Sequence, residues 1–329
     1  MKFRIGMLGY GAIAEKFHEP GIKASSHAEL AGVYDKNYDR CRKFAEAGTA
    51  TRCYKSYDDM LSDSRIDGVL IVTPNILHCS QVIAAAKAGK HVLCEKPMAL
   101  NMEEAHLMVK ECEKAGVTFM VAHHLRFKAC NERAAGLVRK GVMGRVSTAR
   151  AIWSFNIPEG RLEDGWREKK KMSGGGQIMN VNSHCIDLLV YIFGKPARVS
   201  AFLQAEKGAE IENGSVVMME FAGGVLGVAQ GSYREKGTSN NLEISGSEIS
   251  LVVEGACSAD RHGSLRRMPT GETEKADMDF SPYTAEVDHF AMAAKGNFEP
   301  VSSGRKILDT METVMAAYRS AETGMHVNL

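Results

Sequence analysis

The sequence predicts an α/β protein: a doubly wound parallel sheet, followed by helices and an antiparallel meander. Three observations predict it. Short apolar runs alternate with helical patterns from Phe3 to Ala122, the signature of a parallel sheet with crossover helices. The first of these runs ends at a glycine-rich turn. After His123 the alternation gives way to closely spaced strand-like segments joined by short turns such as Gly223-Gly224.

Phe3 to Leu8 is the first strand, and Gly9-Tyr10-Gly11-Ala12-Ile13-Ala14 turns it into a helix. Leu30 to Tyr34 is the second strand and ends at Asp35. A helix is expected over Tyr38 to Ala47. Asp67 to Val72 is apolar after its first residue, as a strand buried on both faces must be. Thr73-Pro74-Asn75 follows, then a helix from His78 to Ala88. His91 to Cys94, Met102 to Ala115 and Thr118 to Ala122 repeat the strand–helix–strand unit. Beyond His123 a helix covers Cys130 to Lys140, and Arg145 to Ile152 alternates like a strand. Ser173-Gly174-Gly175-Gly176 opens a helix that stops near Phe193-Gly194, with Pro196 beyond it. Strands are expected at Ala197 to Gln204, Ser215 to Phe221, Val225 to Ser232, Leu242 to Ser245 and Ile249 to Val253. Arg261 to Asp279 is polar and turn-rich and reads as a surface loop. Helices at Tyr283 to Lys295 and Arg305 to Thr323 close the chain.

The totals exclude several classes. At 329 residues, 44% hydrophobic and 25% charged, the chain has an ordinary globular composition, long enough for two domains. A net charge of +1 gives no footing on nucleic acid or an anionic membrane. No apolar run approaches the ~18–20 residues that span a bilayer. Met1-Lys2-Phe3-Arg4 runs straight into a strand, so no leader is expected. The 8 cysteines lack paired metal-ligand spacing and read as reduced thiols of a cytoplasmic protein.

Gly9, Gly11 and Ala14 fit the GxGxxG/A pattern. The first glycine makes the tight turn, the second admits a pyrophosphate to the backbone, and the third small residue lets the helix pack on the strand. The motif follows a strand, opens a helix, and precedes an acidic residue at the end of the next strand. That context implies a dinucleotide. Ala12 and Ile13 lie at the helix N-terminus facing the phosphates. Asp35 would accept hydrogen bonds from the ribose hydroxyls, which favours NAD. Lys36 and Arg40 stand close enough to offset repulsion of a 2′-phosphate, so NADP stays open. Thr73, Pro74, Asn75 and His78 fall where a loop would cross the cofactor's middle.

His91-Val92-Leu93-Cys94-Glu95-Lys96-Pro97 carries the chemistry. Its lysine stands at the carboxyl end of a parallel strand, where open α/β sheets bind ligands. Hydride transfer from a secondary alcohol needs a group to take the hydroxyl proton. A lysine does so when burial and nearby positive charge lower its affinity for protons. Lys96 is therefore the expected acid–base residue, with Glu95 beside the cofactor. A second constellation follows the glycines. Asn180, His184 and Asp187 sit at i, i+4 and i+7 and share a helix face. His184 is expected to bind a substrate hydroxyl or relay a proton, and Asp187 to fix its tautomer. Trp153, Phe155, Arg161, Trp166 and Arg167 offer aromatic faces and guanidinium groups suited to a polyol or an anionic sugar. His123, His124 and Arg126 are placed to edge the same pocket, with Arg126 reaching substrate. The adjacent histidines would point apart, and no carboxylate or thiol set completes a metal site, so none is expected.

These residues resemble the Gfo/Idh/MocA oxidoreductases along nearly the whole chain. The matching pieces are GYGAIA at Gly9, Asp35, TPNILH at Thr73, GKHVLCEKP at Gly89, HHLRF at His123, WR at Trp166, SGGG at Ser173, NVNSHCID at Asn180 and AAYRSAETG at Ala316. The resemblance implies a Rossmann domain over residues 1–123. Over 124–329 it implies an α+β substrate-binding domain with a large open, mostly antiparallel sheet through which a homodimer or homotetramer forms. It maps the family's catalytic lysine onto Lys96 and its histidine onto His184, and suggests a cis Lys96–Pro97 bond. Many members carry aspartate where this chain has Asn180, and an amide would orient substrate rather than take a proton. Asn182 replaces a frequent glycine. The expected activity is NAD(P)-dependent hydride transfer at a secondary hydroxyl or carbonyl of a sugar, sugar derivative or cyclitol. Two alternatives remain at this level: a non-catalytic NAD(P)-binding sensor, and NAD-dependent, redox-neutral glycoside cleavage.

Overall fold

A computed structural model describes residues 1–46, 52–157, 165–260, 262–276 and 281–329. The chain divides into two compact units, Met1–His124 with Phe280–Ile307, and Leu125–Asp279 with Leu308–Leu329.

The first unit is built on a five-stranded parallel sheet. Its elements are β1 (Phe3–Leu8), α1 (Glu19–Ala24), β2 (Ala28–Tyr34), α2 (Tyr38–Glu46), α3 (Tyr57–Ser62), β3 (Gly68–Ile71), α4 (His78–Lys87), β4 (His91–Glu95), α5 (Met102–Ala115) and β5 (Phe119–Ala122). The strand order is β2-β1-β3-β4-β5, so the order reverses between β1 and β3. Ile5, Met7, Val69, Leu70, Ile71, Val92 and Leu93 are all fully buried, as a sheet covered on both faces requires. The crossover helix α5 is bounded by local chemistry. Asn101 accepts the Glu104 N–H at 2.9 Å, the Glu104 carboxylate accepts the Leu100 N–H at 3.1 Å, and Gly116 ends the helix at φ +67°.

The second unit holds α6 (Ala129–Arg139), β6 (Val146–Ile152), α7 (Lys170–Ser173), α8 (Ser183–Phe193), β7 (Arg198–Gln204), β8 (Gly214–Glu220), β9 (Leu226–Ser232), β10 (Leu242–Gly246), β11 (Ser250–Glu254), β12 (Ser264–Met268) and β13 (Thr273–Lys275). Helix α9 (Pro282–Gly296) then returns to the first unit, where Tyr283 stacks on Phe17. Helix α10 (Gly304–Thr323) and β14 (Val327–Asn328) complete the chain. The nine strands run β13-β12-β11-β10-β6-β9-β8-β7-β14. Every neighbouring pair is antiparallel except β6 with β9. Ala149, Val199, Val217, Ala229, Ile244 and Val253 form one buried face, beneath α6, α8 and α10. The other face leaves Phe202 70% exposed, with Met218 and Leu226 beside it.

Two expectations change. The expected loop over 261–279 is not a simple one within its described residues: β12 and β13 make an antiparallel hairpin there. Only Leu265 of this pair is buried, so an edge hairpin gave no apolar alternation to read. Cys41 and Cys53 are disulfide-bonded, with Cα atoms 5.8 Å apart, against the expectation of reduced thiols throughout. The pairing of Val33 with Cys53 beside β2 brings the second cysteine to α2, a proximity that sequence spacing does not reveal. Among the described residues no helix is long and apolar enough to cross a membrane.

Candidate functional site

In the first unit, the glycine turn and Glu95-Lys96 stand at the same edge of the sheet. Both follow the carboxyl ends of parallel strands. Gly9 has φ +89°, and a Cβ there would lie 2.8 Å from the Val72 carbonyl oxygen, so the turn demands glycine. A Cβ on Gly11 would meet nothing within 4 Å. The space over that backbone is open, as the approach of a pyrophosphate needs. Ala12 and Ile13 begin the helix, which passes through a π-helical turn at Ala14–His18 into α1.

Asp35 is buried at the end of β2. Its carboxylate accepts the Tyr10 N–H at 2.7 Å and the Asn37 N–H at 2.8 Å, so it holds the glycine turn in shape. Arg40 reaches the Tyr10 carbonyl at 3.4 Å, and Lys36 is exposed nearby. Thr73 donates its hydroxyl to Gln81 at 2.5 Å, and Asn75 opens a short 3-10 turn behind Pro74. His78 departs from its expected contact with cofactor. It is fully buried, with its ring nitrogens 2.9 Å from the Pro97 and Thr73 carbonyl oxygens. Burial lowers its affinity for protons, against the pull of those carbonyls. It ties the loop after β3 to the loop after β4.

The Lys96–Pro97 bond is cis. Lys96 is partly buried, and its backbone N–H donates to Glu95 Oε2 at 3.0 Å. Glu95 Oε1 lies 2.7 Å from His18 Nε2. Burial alone would push the Glu95 carboxyl upward. The His18 hydrogen bond and the charges of His18, Lys96 and His124 outweigh it and bring the carboxyl down to about 2. Sequence reasoning missed His18, because a histidine inside the first helix carries no motif of its own.

In the second unit, α8 is seated from its N-terminal end. The Glu212 carboxylate accepts from the Gly176 and Ile178 N–H groups at 3.0 and 2.9 Å and from the Tyr318 hydroxyl at 2.8 Å. Free N–H groups at a helix start favour such an anion. A Cβ on Gly176 would fall 2.0 Å from the Glu212 carbonyl oxygen, which explains why the segment is so rich in glycine. A π-helical turn at Ile178–Asn182 leads into α8. Asn182, left open by the sequence, donates to Ser215 at 2.9 Å and to the Ala229 carbonyl at 3.2 Å, pinning the turn to the sheet.

Asn180 donates to the Tyr233 hydroxyl at 2.8 Å. His184 is 5% exposed, and its ring lies 5.0 Å from Trp153. Phe155 packs 5.6 Å from Tyr233, so the aromatic residues before the glycines do meet the Asn180–His184 face. Arg167 covers Trp166 at 4.5 Å. Arg161 lies outside the described residues. Tyr233 was not singled out in the sequence, and no local signal marked it.

Arg126 and Asp187 meet each other, a pairing that the sequence did not suggest. Arg126 makes a two-pronged ion pair with Asp187 at 2.8 and 2.7 Å, with side chains 3% and 0% exposed. Thr310 also donates to Asp187 at 2.8 Å, and the guanidinium lies 5.0 Å over the Tyr191 ring. A buried carboxylate needs a full set of donors, and Arg126 supplies the fork that matches it. Asp187 thereby anchors α8 to the core, and Arg126 faces the carboxylate it was not expected to meet.

The chain is similar to known proteins over both units. Residues 3–123 match the family described as "Oxidoreductase family, NAD-binding Rossmann fold". Residues 131–252 match the "GFO/IDH/MocA C-terminal domain". A 1,5-anhydro-D-fructose reductase of Ensifer adhaerens is 29% identical over 98% of this chain and 97% of its own length. A D-xylose 1-dehydrogenase (NADP(+)) of Haloferax volcanii is 31% identical over 98% of this chain and 99% of its own. The crystal structure of an aldose-aldose oxidoreductase from Caulobacter crescentus, complexed with glycerol, superposes with a TM-score of 0.91 at 26% identity, covering both chains fully. With matches over both units and a relative above 30% identity along nearly its whole length, the chain belongs to the Gfo/Idh/MocA family, NAD(P)-dependent oxidoreductases acting on CH–OH groups of sugars and related compounds.

Proposed function

We propose that this enzyme interconverts a secondary hydroxyl and a carbonyl on a sugar, sugar derivative or cyclitol, with Lys96 as acid–base residue. The observation that carries this reading is Lys96 itself. It stands at a strand end on the sheet edge that also bears the glycine turn, and its backbone is fixed by Glu95. The nicotinamide, when bound, supplies the acceptor or donor of the hydride. Gly9, Gly11, Ala12 and Ile13 would hold the pyrophosphate, and Thr73, Pro74 and Asn75 would line its path. Asp35 would take the ribose hydroxyls, so NAD is the proposed cofactor. Lys96 takes the hydroxyl proton during oxidation and returns it during reduction.

His184 and Asn180 are assigned to substrate hydroxyls, and Trp166 with Arg167 to a sugar face. His78, Arg126 and Asp187 are assigned to holding the loops and helix that carry these groups. Phe202, Met218 and Leu226 form an apolar patch on the outer sheet face, and a second copy of the chain is proposed to cover it.

The test is nicotinamide absorbance. Protein is mixed with NAD or NADP and a panel of aldoses, anhydro sugars, cyclitols and uronates, alongside Lys96→Ala. Reduction by wild type alone supports the reading. Equal turnover by the variant refutes Lys96 as the acid–base group.

A further inference from the structure

Besides Glu95, the first unit buries a second carboxyl that the proposed reaction does not use. Glu286 lies on α9, is 0% exposed, and among the described residues neither of its oxygens has a hydrogen-bond partner. Three residues before it on the same helix, Tyr283 stacks on His124 at 4.7 Å and meets the His18 ring edge-on at 5.1 Å. His18 in turn holds Glu95, and Glu95 holds the Lys96 N–H. His18 Nδ1 is also buried, with no partner among the described residues. Among the described residues, three buried polar atoms without partners, two on Glu286 and one on His18, thus belong to the side chains gathered around Tyr283 and Glu95.

Two carboxyl groups sharing an apolar interior do not both ionise. Glu95 has a hydrogen-bonded imidazole and a neighbouring lysine, and Glu286 has neither. Burial and the charge on Glu95 both push the Glu286 carboxyl well above its ordinary range. Other groups on the packed elements do not relieve it. Glu19 on α1 accepts from Tyr10, and Asp288 on α9 accepts from Ser25. Lys16, Lys23 on α1 and Glu29 on β2 are exposed. On α9 itself His289 accepts the Val301 N–H, and Lys295, like Glu15 before α1, is exposed; His18, Glu95, Lys96, His124 and Tyr283 are the titratable groups tied to this cluster.

We propose that Glu286 is a positioning residue for Lys96: a carboxyl that keeps its proton and so limits this cluster to the single negative charge of Glu95. This rests on the reading of Lys96 as acid–base group. While Glu286 is neutral, Glu95 alone orients the Lys96 backbone. When Glu286 ionises, a second negative charge favours the ammonium form of Lys96 and removes the base.

The experiment has two arms. In the first, the pH dependence of kcat for alcohol oxidation is compared in wild type, Glu286→Gln and Glu286→Asp. Buried glutamates titrate as high as about 8–9, so the wild-type rate is expected to pass through a maximum and fall on the alkaline side. Glu286→Gln should rise to a plateau with that fall missing, and Glu286→Asp should restore the fall. A purely structural role would change stability and leave the shape of the profile alone. Superimposable profiles for wild type and Glu286→Gln overturn the proposal. The second arm needs no turnover. Infrared difference spectra of wild type and Lys96→Ala at pH 7 should each contain a protonated-carboxyl C=O band that Glu286→Gln removes. Absence of that band overturns the proposal even where Lys96 proves catalytic. Its presence in a protein whose Lys96→Ala variant still turns over would instead locate the failure in the assignment of Lys96.

Discussion

The two sheets solve different problems. The five-stranded sheet of the first unit is covered on both faces, and its strands are short, apolar and parallel. The nine-stranded sheet of the second unit is, among the described residues, covered on one face only. In the first unit the candidate chemistry sits on turns at strand ends, held by side chains such as Asp35, Glu95 and His78. In the second it sits on a helix clamped at its start by Glu212 and at its middle by the Arg126–Asp187 pair. Strand-end turns can lose a ligand contact without loosening the fold. A clamped helix cannot be disturbed without paying in stability.

Substitutions break or sharpen that contrast, taken from the largest effect to the smallest. Lys96→Ala should lower turnover by about 10²–10⁴, the usual share of acid–base catalysis, with cofactor binding retained by fluorescence titration. Asp187→Asn should strand a buried guanidinium and cost about 3–5 kcal/mol in chemical denaturation. Replacing Arg126 and Asp187 together with Met and Leu should recover most of that loss.

The glycines make the sharpest pair. Gly176→Ala puts a Cβ against the Glu212 backbone and should cost about 1–3 kcal/mol in the same denaturation assay. Gly11→Ala enters open space and should leave the melting temperature unchanged while weakening NAD binding several-fold. A Gly11→Ala variant that binds NAD as wild type does would remove the pyrophosphate from this turn. Phe202→Asp should leave the fold intact and shift the molar mass in light scattering to that of a single chain, if the outer sheet face joins two copies.

The smallest effect is a matter of sign. Glu286 keeps its proton in the fold above the ordinary carboxyl range near 4.5, whereas the unfolded chain loses it there. Its contribution is therefore complete at acid pH and is lost as pH rises. Glu286→Gln should raise the melting temperature at pH 7, by about 2–4 °C for each kcal/mol, and that gain should vanish below about pH 4. Glu95 runs the other way. Its carboxyl is held down near 2, so its contribution is present above about 4.5 and fades as pH falls toward 2. Glu95→Gln should lower the neutral-pH melting temperature and narrow the difference from wild type in acid.

Much of the first unit was legible because its signals are local. An apolar run, a glycine turn and an acidic strand end are each a few residues long, and β1 has the bounds its apolar run predicts. The core strands of the second sheet were legible for the same reason, through alternation imposed by one buried face. The hairpin of β12 and β13 was not, because edge strands bury too little to pattern. The candidate site was legible in its motif residues, Lys96, Asn180 and His184, and illegible in what holds them.

What the sequence by itself determined was therefore the fold class, the order of its elements, and the family to which its motifs belong. Tertiary structure alone decided that Asp187 meets Arg126 and Thr310, that His18 from a distant segment reaches Glu95, that Glu286 is buried in the same unit, that Cys41 meets Cys53, and that α9 returns to the first unit. Each of these is a pairing between residues far apart in the chain. Periodicity and spacing report which face a residue belongs to. A buried charge takes whichever partner packing brings within reach, and that is fixed only when the core closes.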